Sequence, residues 1–230
     1  MLSLVPAWQP GGESSLSYMV STVMRDLGTP DSRVAIGNEG IDHASLQDWL
    51  DGRNDEPVCV IGTSLAFVHW FDKLAASNTA LELPAGSCIM DTGGFKGSTR
   101  AVTSHDLREQ YQVLLGVAPQ FVVNEYGMTE MLSQFYDAHQ LDPAQMLVKQ
   151  GPAWVRSAIV DPETLEPLPR GQTGLLKHFD LANVFSVSAI QTEDIAVAKG
   201  DGFELLGRAA GAAPRGCSIA MDMFLSSTRP

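Results

Sequence analysis

Basic residues are scarce in this chain of 230 residues: 15 lysines and arginines stand against 27 aspartates and glutamates, a formal charge of −12. Sequence-independent binding to DNA or RNA draws most of its affinity from lysine and arginine, so a nucleic-acid partner is not expected. A nucleoside triphosphate stays open, because a small phosphate site needs only local donors and a metal ion. Cysteine is scarcer still. Cys59, Cys88 and Cys217 are the three present, too few and too scattered for a disulfide framework or a zinc ribbon. Cys59 and Cys88 each sit inside an apolar run and read as reduced core residues. The five histidines never take the i, i+4 spacing of a zinc-binding helix. No apolar run approaches the roughly 20 residues that cross a bilayer. Met1–Trp8 is apolar, but it lacks the basic n-region and the length of a signal segment. The expectation is a cytoplasmic protein with no membrane span.

The common nucleotide signatures are also missing: there is no G-x-x-x-x-G-K-[ST], and no strand is followed by G-x-G-x-x-G. Gly62-Thr63-Ser64 hints at a nucleophile elbow, but position 66 is Ala and G-x-S-x-G is not met, which argues against a serine hydrolase.

What is present is a globular balance, with 44% hydrophobic and 18% charged residues. Leu16, Met19, Val20, Val23, Met24 and Leu27 recur at helical spacing, with Ser14 or Ser15 to cap the start and Gly28 with Pro30 to end it. A short strand is expected at Arg33–Gly37 and a helical stretch near Leu46–Leu50. Val58–Ile61 reads as a strand buried on both faces, and Ser64–Ala76 as the helix after it. Ser87–Met90 is the next strand, Asp91–Ser98 a glycine-rich loop, and Thr103 to Asp106 a capping box opening a helix that reaches Leu115. Phe121–Asn124 is a further strand. This alternation predicts an α/β fold with a doubly wound, mostly parallel sheet. Past Pro152 the pattern changes to short segments, Trp154–Val160, Gly174–Asp180, Ile190–Val197 and Phe203–Leu206, separated by turns. The expected division is therefore an α/β part over residues 1–150 and a β-rich part over residues 151–230.

The segment Asn124-Glu125-Tyr126-Gly127-Met128-Thr129-Glu130 carries the most chemistry. A glycine right after a strand lets backbone approach a ligand closely. Tyrosine offers a ring on which a base can stack, threonine a hydroxyl for phosphate, and glutamate a hard oxygen for Mg²⁺. The bland reading is a turn leading into a helix over Met131–Tyr136.

Tyr126-Gly127-x-Thr129-Glu130 resembles the Y-G-x-T-E motif of the adenylate-forming superfamily of acyl-CoA synthetases, peptide-synthetase adenylation domains and beetle luciferases. Extended to Asp137, it is similar to one branch, the LuxE-type acyl-protein synthetases. Gly93-Gly94-Phe95-Lys96-Gly97 resembles that branch's glycine loop beside the adenine. Thr192-Glu193-Asp194 resembles the superfamily's T-x-D segment, and Leu206-Gly207-Arg208 its G-R element. Arg215-Gly216-Cys217-Ser218 resembles the branch's segment with the acylated cysteine. The resemblance implies that Gly93, Gly94 and Gly127 shape the nucleotide site and that Tyr126 stacks on adenine. It further implies that Thr129 contacts the α-phosphate, Glu130 binds Mg²⁺, Asp194 holds the ribose and Arg208 meets the phosphates. The implied reaction is ATP-dependent activation of a long-chain fatty acid to an acyl-adenylate, followed by thioester formation on Cys217. A free thiol is only about 3% thiolate at pH 7, and Arg215 two residues away on one strand face would raise that fraction. In luminous bacteria such a protein hands its acyl group to a fatty-acid reductase that makes aldehyde for luciferase.

The family's Ser/Thr/Gly-rich phosphate loop is expected before residue 1, and Leu2–Val20 looks like the stretch that follows it. An N-terminal segment or a homo-oligomeric mate is therefore an expected partner, with the chain alone binding nucleotide weakly or catalysing poorly. Phe67, Trp70 and Phe71 could line an acyl tunnel, but read more simply as core. Two other readings stand beside the synthetase: an acyl- or aryl-CoA ligase, and a non-catalytic remnant that binds nucleotide or a partner enzyme.

Overall fold

The computed structural model describes residues 1–37, 39–79, 81–93, 102–140 and 146–212. The chain forms two compact units, one running from Met1 to Asn124 and the other beginning at Glu125. The strands that follow Glu125 pair antiparallel with one another.

The apolar opening, which has no obvious strand pattern, forms the inner strand of the first unit. β1 (Leu2–Leu4) pairs in parallel with β2 (Arg33–Val34) on one side and β5 (Cys59–Thr63) on the other, and β5 pairs in parallel with β6 (Cys88–Thr92). Strands buried on both faces need no polar alternation, which is why Leu2-Ser3-Leu4 is fully buried. The expected strand over Arg33–Gly37 is split at Ala35. Its second half, β3 (Ile36–Gly37), makes a separate antiparallel pair with β4 (Gly40–Ile41).

Helices cover both faces of this sheet, as a doubly wound fold requires. On one side α2 (His43–Asp51), α3 (Ser64–Ala76) and α4 (Ser104–Leu115) enclose a core with Leu2, Leu4, Val60 and Ile89. On the other side α1 (Ser15–Leu27) sets Leu16 and Val20 against Val5 and Ile61, with Cys59 and Met90 at the edge. The caps follow the sequence. Ser14 accepts from the Ser17 amide at 3.2 Å, Thr63 accepts from Ala66 at 3.1 Å, and Thr103 and Asp106 form the reciprocal capping box. Gly116 ends α4 at φ +68°, a left-handed position that suits glycine. Phe67, Trp70 and Phe71 are core: all three are buried, with Phe67 and Phe71 edge-on to Tyr111 at 5.0 and 5.4 Å.

Chain order carries β7 (Val122–Tyr126) from the first unit into the second. There follow β8 (Phe135–Asp137), β9 (Val148–Gln150), β10 (Val155–Val160), β11 (Thr173–Asp180), β12 (Ala189–Lys199) and β13 (Gly202–Arg208). All pairs in this unit are antiparallel, in the order β10-β11-β12-β13-β9-β8. Tyr126, Phe135, Ile159, Leu176 and Phe203 form its core. The helix expected over Met131–Tyr136 does not form. Its amides at Leu132 and Ser133 are taken by side chains of a distant loop, and Phe135 and Tyr136 pair as strand with Tyr126 and Glu125. Among the described residues no helix is long and apolar enough to cross a membrane.

Candidate functional site

The second unit brings three separate sequence motifs together. Tyr126, at the end of β7, donates its hydroxyl proton to Asp194 Oδ2 at 2.7 Å. Asp194 lies on β12 opposite Arg208, the last residue of β13, and its Oδ1 stands 3.4 Å from Arg208 Nε. Arg208 Nη2 also donates to Glu193 Oε2 at 2.6 Å.

The turn chemistry explains why these groups meet. Between the pairs Ile195–Gly207 and Ala196–Leu205 the ladder shifts register, so Leu206 is an extra residue on β13. Gly207 takes φ +141°, which a side chain rarely allows. A bulge of this kind twists a strand and re-aims the residue beyond it, here Arg208. On the other strand, Thr192 donates to the Leu176 carbonyl at 2.8 Å and accepts from the Asp194 amide at 3.1 Å, which fixes the start of the acidic pair.

Tyr126 and Asp194 are both buried. Burial, then the nearby Asp194 charge, raises the Tyr126 phenol well above its ordinary value, so it stays a donor. The tyrosine ring packs against Phe135, His178 and Phe203 at centroid distances of 5.7–5.9 Å. His178 is fully buried, and its Nδ1 stands 2.9 Å from Ser157 Oγ. Burial pulls this imidazole down to about 4, against the weaker pull of Asp194 and Asp180, and it is neutral at physiological pH.

Beyond Tyr126 the chain turns through Gly127, where an added Cβ would collide with the folded-back Glu125 carboxylate. Thr129 and Glu130 are exposed at the turn. The turn is pinned from the end of β11 and the loop that follows it. Asp180 accepts from the Ser133 amide at 3.0 Å, the Ser133 hydroxyl at 2.9 Å and the Ala182 amide at 2.9 Å. Asn183 accepts from the Leu132 amide at 2.9 Å and donates to the Glu130 carbonyl at 2.7 Å. Asp180, Asn183, Ser133 and His178 escaped sequence reasoning. The only available signal was Asp180-Leu-Ala-Asn183, an ordinary loop composition whose partners lie about 50 residues earlier.

Of the residues singled out in the sequence, Tyr126, Asp194 and Arg208 are in contact, and Gly127, Thr129 and Glu130 follow directly on Tyr126. Gly93 lies in the first unit, exposed just after β6 at φ +81°. Ser64 donates to Asp91 Oδ2 at 3.0 Å and Asn124 to Asp91 Oδ1 at 3.1 Å, fixing the strand that leads to it. Gly94, Arg215 and Cys217 lie outside the described residues.

Comparison with known proteins gives a family and a fold. Residues 38–226 match the family model described as acyl-protein synthetase, LuxE. The chain is 27% identical over 179 residues to the long-chain-fatty-acid–luciferin-component ligase of Aliivibrio fischeri, covering 71% of this chain and 45% of that protein. It is 32% identical over 83 residues to the Vibrio harveyi protein of the same name, covering 33% of this chain and 22% of that one. It therefore spans less than half the length of these relatives. Among solved structures it resembles ATP-bound MatB from Rhodopseudomonas palustris, with a TM-score of 0.57 at 17% identity over 90% of this chain and 40% of that one. It also resembles the luciferase-like enzyme of the mealworm Zophobas morio, with a TM-score of 0.57 at 18% identity over 92% of this chain and 49% of that one. At such identities the likeness is one of fold. With a family model matching most of its length, the chain belongs to the LuxE acyl-protein synthetase family.

Proposed function

We propose that this chain forms part of a ligase that activates a long-chain fatty acid with ATP and passes the acyl group to Cys217 as a thioester. The observation that carries the reading is the Tyr126–Asp194–Arg208 contact, in which the Y-G-x-T-E, T-x-D and G-R elements come together. Family membership and the names of the relatives support the same chemistry.

In this reading the fatty carboxylate attacks the α-phosphorus of ATP, giving acyl-adenylate and pyrophosphate. Positioning and neutralisation of charge supply most of the catalysis. Tyr126 and Gly127 receive the adenine. Thr129 offers its hydroxyl to the α-phosphate. Asp194 receives the ribose hydroxyls through Oδ1, whose 3.4 Å approach to Arg208 is longer than a good hydrogen bond and is the contact that yields. Arg208, released from Asp194, turns toward phosphate oxygen. The donor set fits Mg²⁺: the Glu130 carboxylate is exposed while Asn183 pins its backbone carbonyl. When bound, Mg²⁺ would be held by the Glu130 carboxylate and would neutralise phosphate charge. The Cys217 thiolate then attacks the acyl carbonyl and AMP leaves. Delivery to an acyl reductase or another acceptor follows from the thioester's reactivity.

The test is to incubate the chain with Mg²⁺-ATP and a radiolabelled long-chain fatty acid, beside Cys217→Ser and a version extended at its N-terminus with the family's phosphate loop. Label that hydroxylamine removes, absent from the serine variant, is expected on the extended protein. Free acyl-CoA on adding coenzyme A, with no protein label, would replace the thioester step by a CoA-ligase reaction. No label and no ATP–pyrophosphate exchange in either version would overturn the reading in favour of a non-catalytic protein.

A further inference from the structure

Cys59 and Cys88 are the first residues of β5 and β6 and stand directly opposite one another in the parallel ladder. Opposite residues on neighbouring strands lie about 4.8 Å apart, inside the range of about 4.4–6.8 Å that a disulfide spans between its Cα atoms. Paired residues of a parallel ladder project to the same face, so the two thiols are neighbours. The register is clamped on the residues before them. Ser87 Oγ accepts from the Val58 amide at 3.0 Å, and the Cys88 amide donates to the Val58 carbonyl at 2.9 Å. Both cysteines are free and only partly buried. Neither belongs to a motif used in the proposed reaction.

We propose that Cys59 and Cys88 are a reversible dithiol–disulfide site that reacts with low-molecular-weight disulfides and closes a covalent bridge between β5 and β6. The two thiols are unequal. The neighbouring Cys59 thiol lowers Cys88, while Cys88 and burial raise Cys59. Cys88 is therefore the attacking thiolate. It displaces one thiolate from a disulfide such as glutathione disulfide, and a mixed disulfide remains on Cys88. Cys59 then loses its proton and attacks Cys88 Sγ, releasing the second glutathione thiolate. Two protein thiols are oxidised by two electrons, and one glutathione disulfide is reduced to two thiols. The bridge ties together the amino-terminal ends of two strands whose carboxyl ends are Thr63 and Thr92, with Gly93 next in the chain.

The experiment is to treat the full chain with glutathione disulfide, quench with acid, alkylate and map the peptides. Free thiols are expected to fall from the three of the sequence to one, Cys217, with a peptide linking Cys59 to Cys88. Dithiothreitol restores all three. Cys59→Ser is expected to hold glutathione stably on Cys88, and Cys88→Ala to leave Cys59 unmodified. Persistent alkylation of both Cys59 and Cys88 in the wild type, or a bridge to Cys217, overturns the proposal. So does a lasting glutathione adduct on wild-type Cys88 with Cys59 still free.

Discussion

Tyr126 and Asp194 are 68 residues apart in the chain, yet the phenol donates to the buried carboxylate at 2.7 Å. The bond ties the residue before the glycine turn to the strand that carries the acidic pair. A buried carboxylate deprived of its donor bears a desolvation cost that a neutral group does not.

Tyr126→Phe keeps the ring and its packing against Phe135 and Phe203 but removes that donor. We expect unfolding stability in urea to fall by about 1–3 kcal/mol. Nucleotide affinity should weaken in parallel, because Asp194 is no longer oriented. A stability change under about 0.5 kcal/mol would show that the bond is not formed in solution.

Asp180→Asn preserves shape but removes the charge that accepts from Ser133 and Ala182. A loss of roughly 2–4 kcal/mol is expected, since hydrogen bonds to a buried charge are the stronger kind. The sharper readout is amide hydrogen exchange. Leu132, Ser133 and Ala182 should exchange faster, while the amides of β5 and β6 should not.

His178 makes stability depend on pH. The unfolded chain takes up its proton near the ordinary histidine value of about 6.5, whereas the folded chain resists until about 4. Between these values the unfolded state binds more protons, so stability falls as pH drops from about 6.5 and the loss is complete below about 4. The shift corresponds to about 3 kcal/mol. His178→Phe keeps an aromatic ring and should flatten this part of the profile, measured by urea denaturation at each pH. Parallel profiles for the two proteins would refute the assignment.

Lys149 and Asp137 form a buried ion pair at 2.7 Å between β9 and β8. Lys149→Met removes the buried carboxylate's 2.7 Å ion partner and should cost about 3–5 kcal/mol. The double variant with Asp137→Leu should recover most of that loss. A double-mutant cycle checks this, and simple additivity would mean the pair is not coupled.

Gly127→Ala should be poorly tolerated although the backbone there is unexceptional, because the new methyl collides with the Glu125 carboxylate. The expected cost is about 1–3 kcal/mol of overpacking, with ATP–pyrophosphate exchange falling more than stability does. Normal exchange in the alanine variant would remove Gly127 from the site.

Much of this was legible in the chain itself. Local rules suffice for a helix that opens at Ser14 or Thr103 and closes at Gly28 or at the left-handed Gly116, because caps act over three or four residues. They suffice as well for the apolar runs of β5 and β6, and for the Tyr126-Gly127-x-Thr129-Glu130 signature. Leu2-Ser3-Leu4 was not legible as a strand. Three residues carry no period, and only partners on both sides make a strand of them. Met131–Tyr136 read as helix because apolar spacing there is compatible with 3.6 residues per turn, but Asp180 and Asn183 take the amides such a helix would need.

The sequence by itself determined which segments are strand or helix wherever the cause is local, which family the motifs belong to, and the residue types available for chemistry. Only the tertiary structure decided that Tyr126, Asp194 and Arg208 touch, that His178 stays neutral, and that Cys59 faces Cys88. These depend on strand register and burial. A register shift of one residue turns a side chain to the opposite face of its sheet, and burial depends on neighbours supplied from far along the chain.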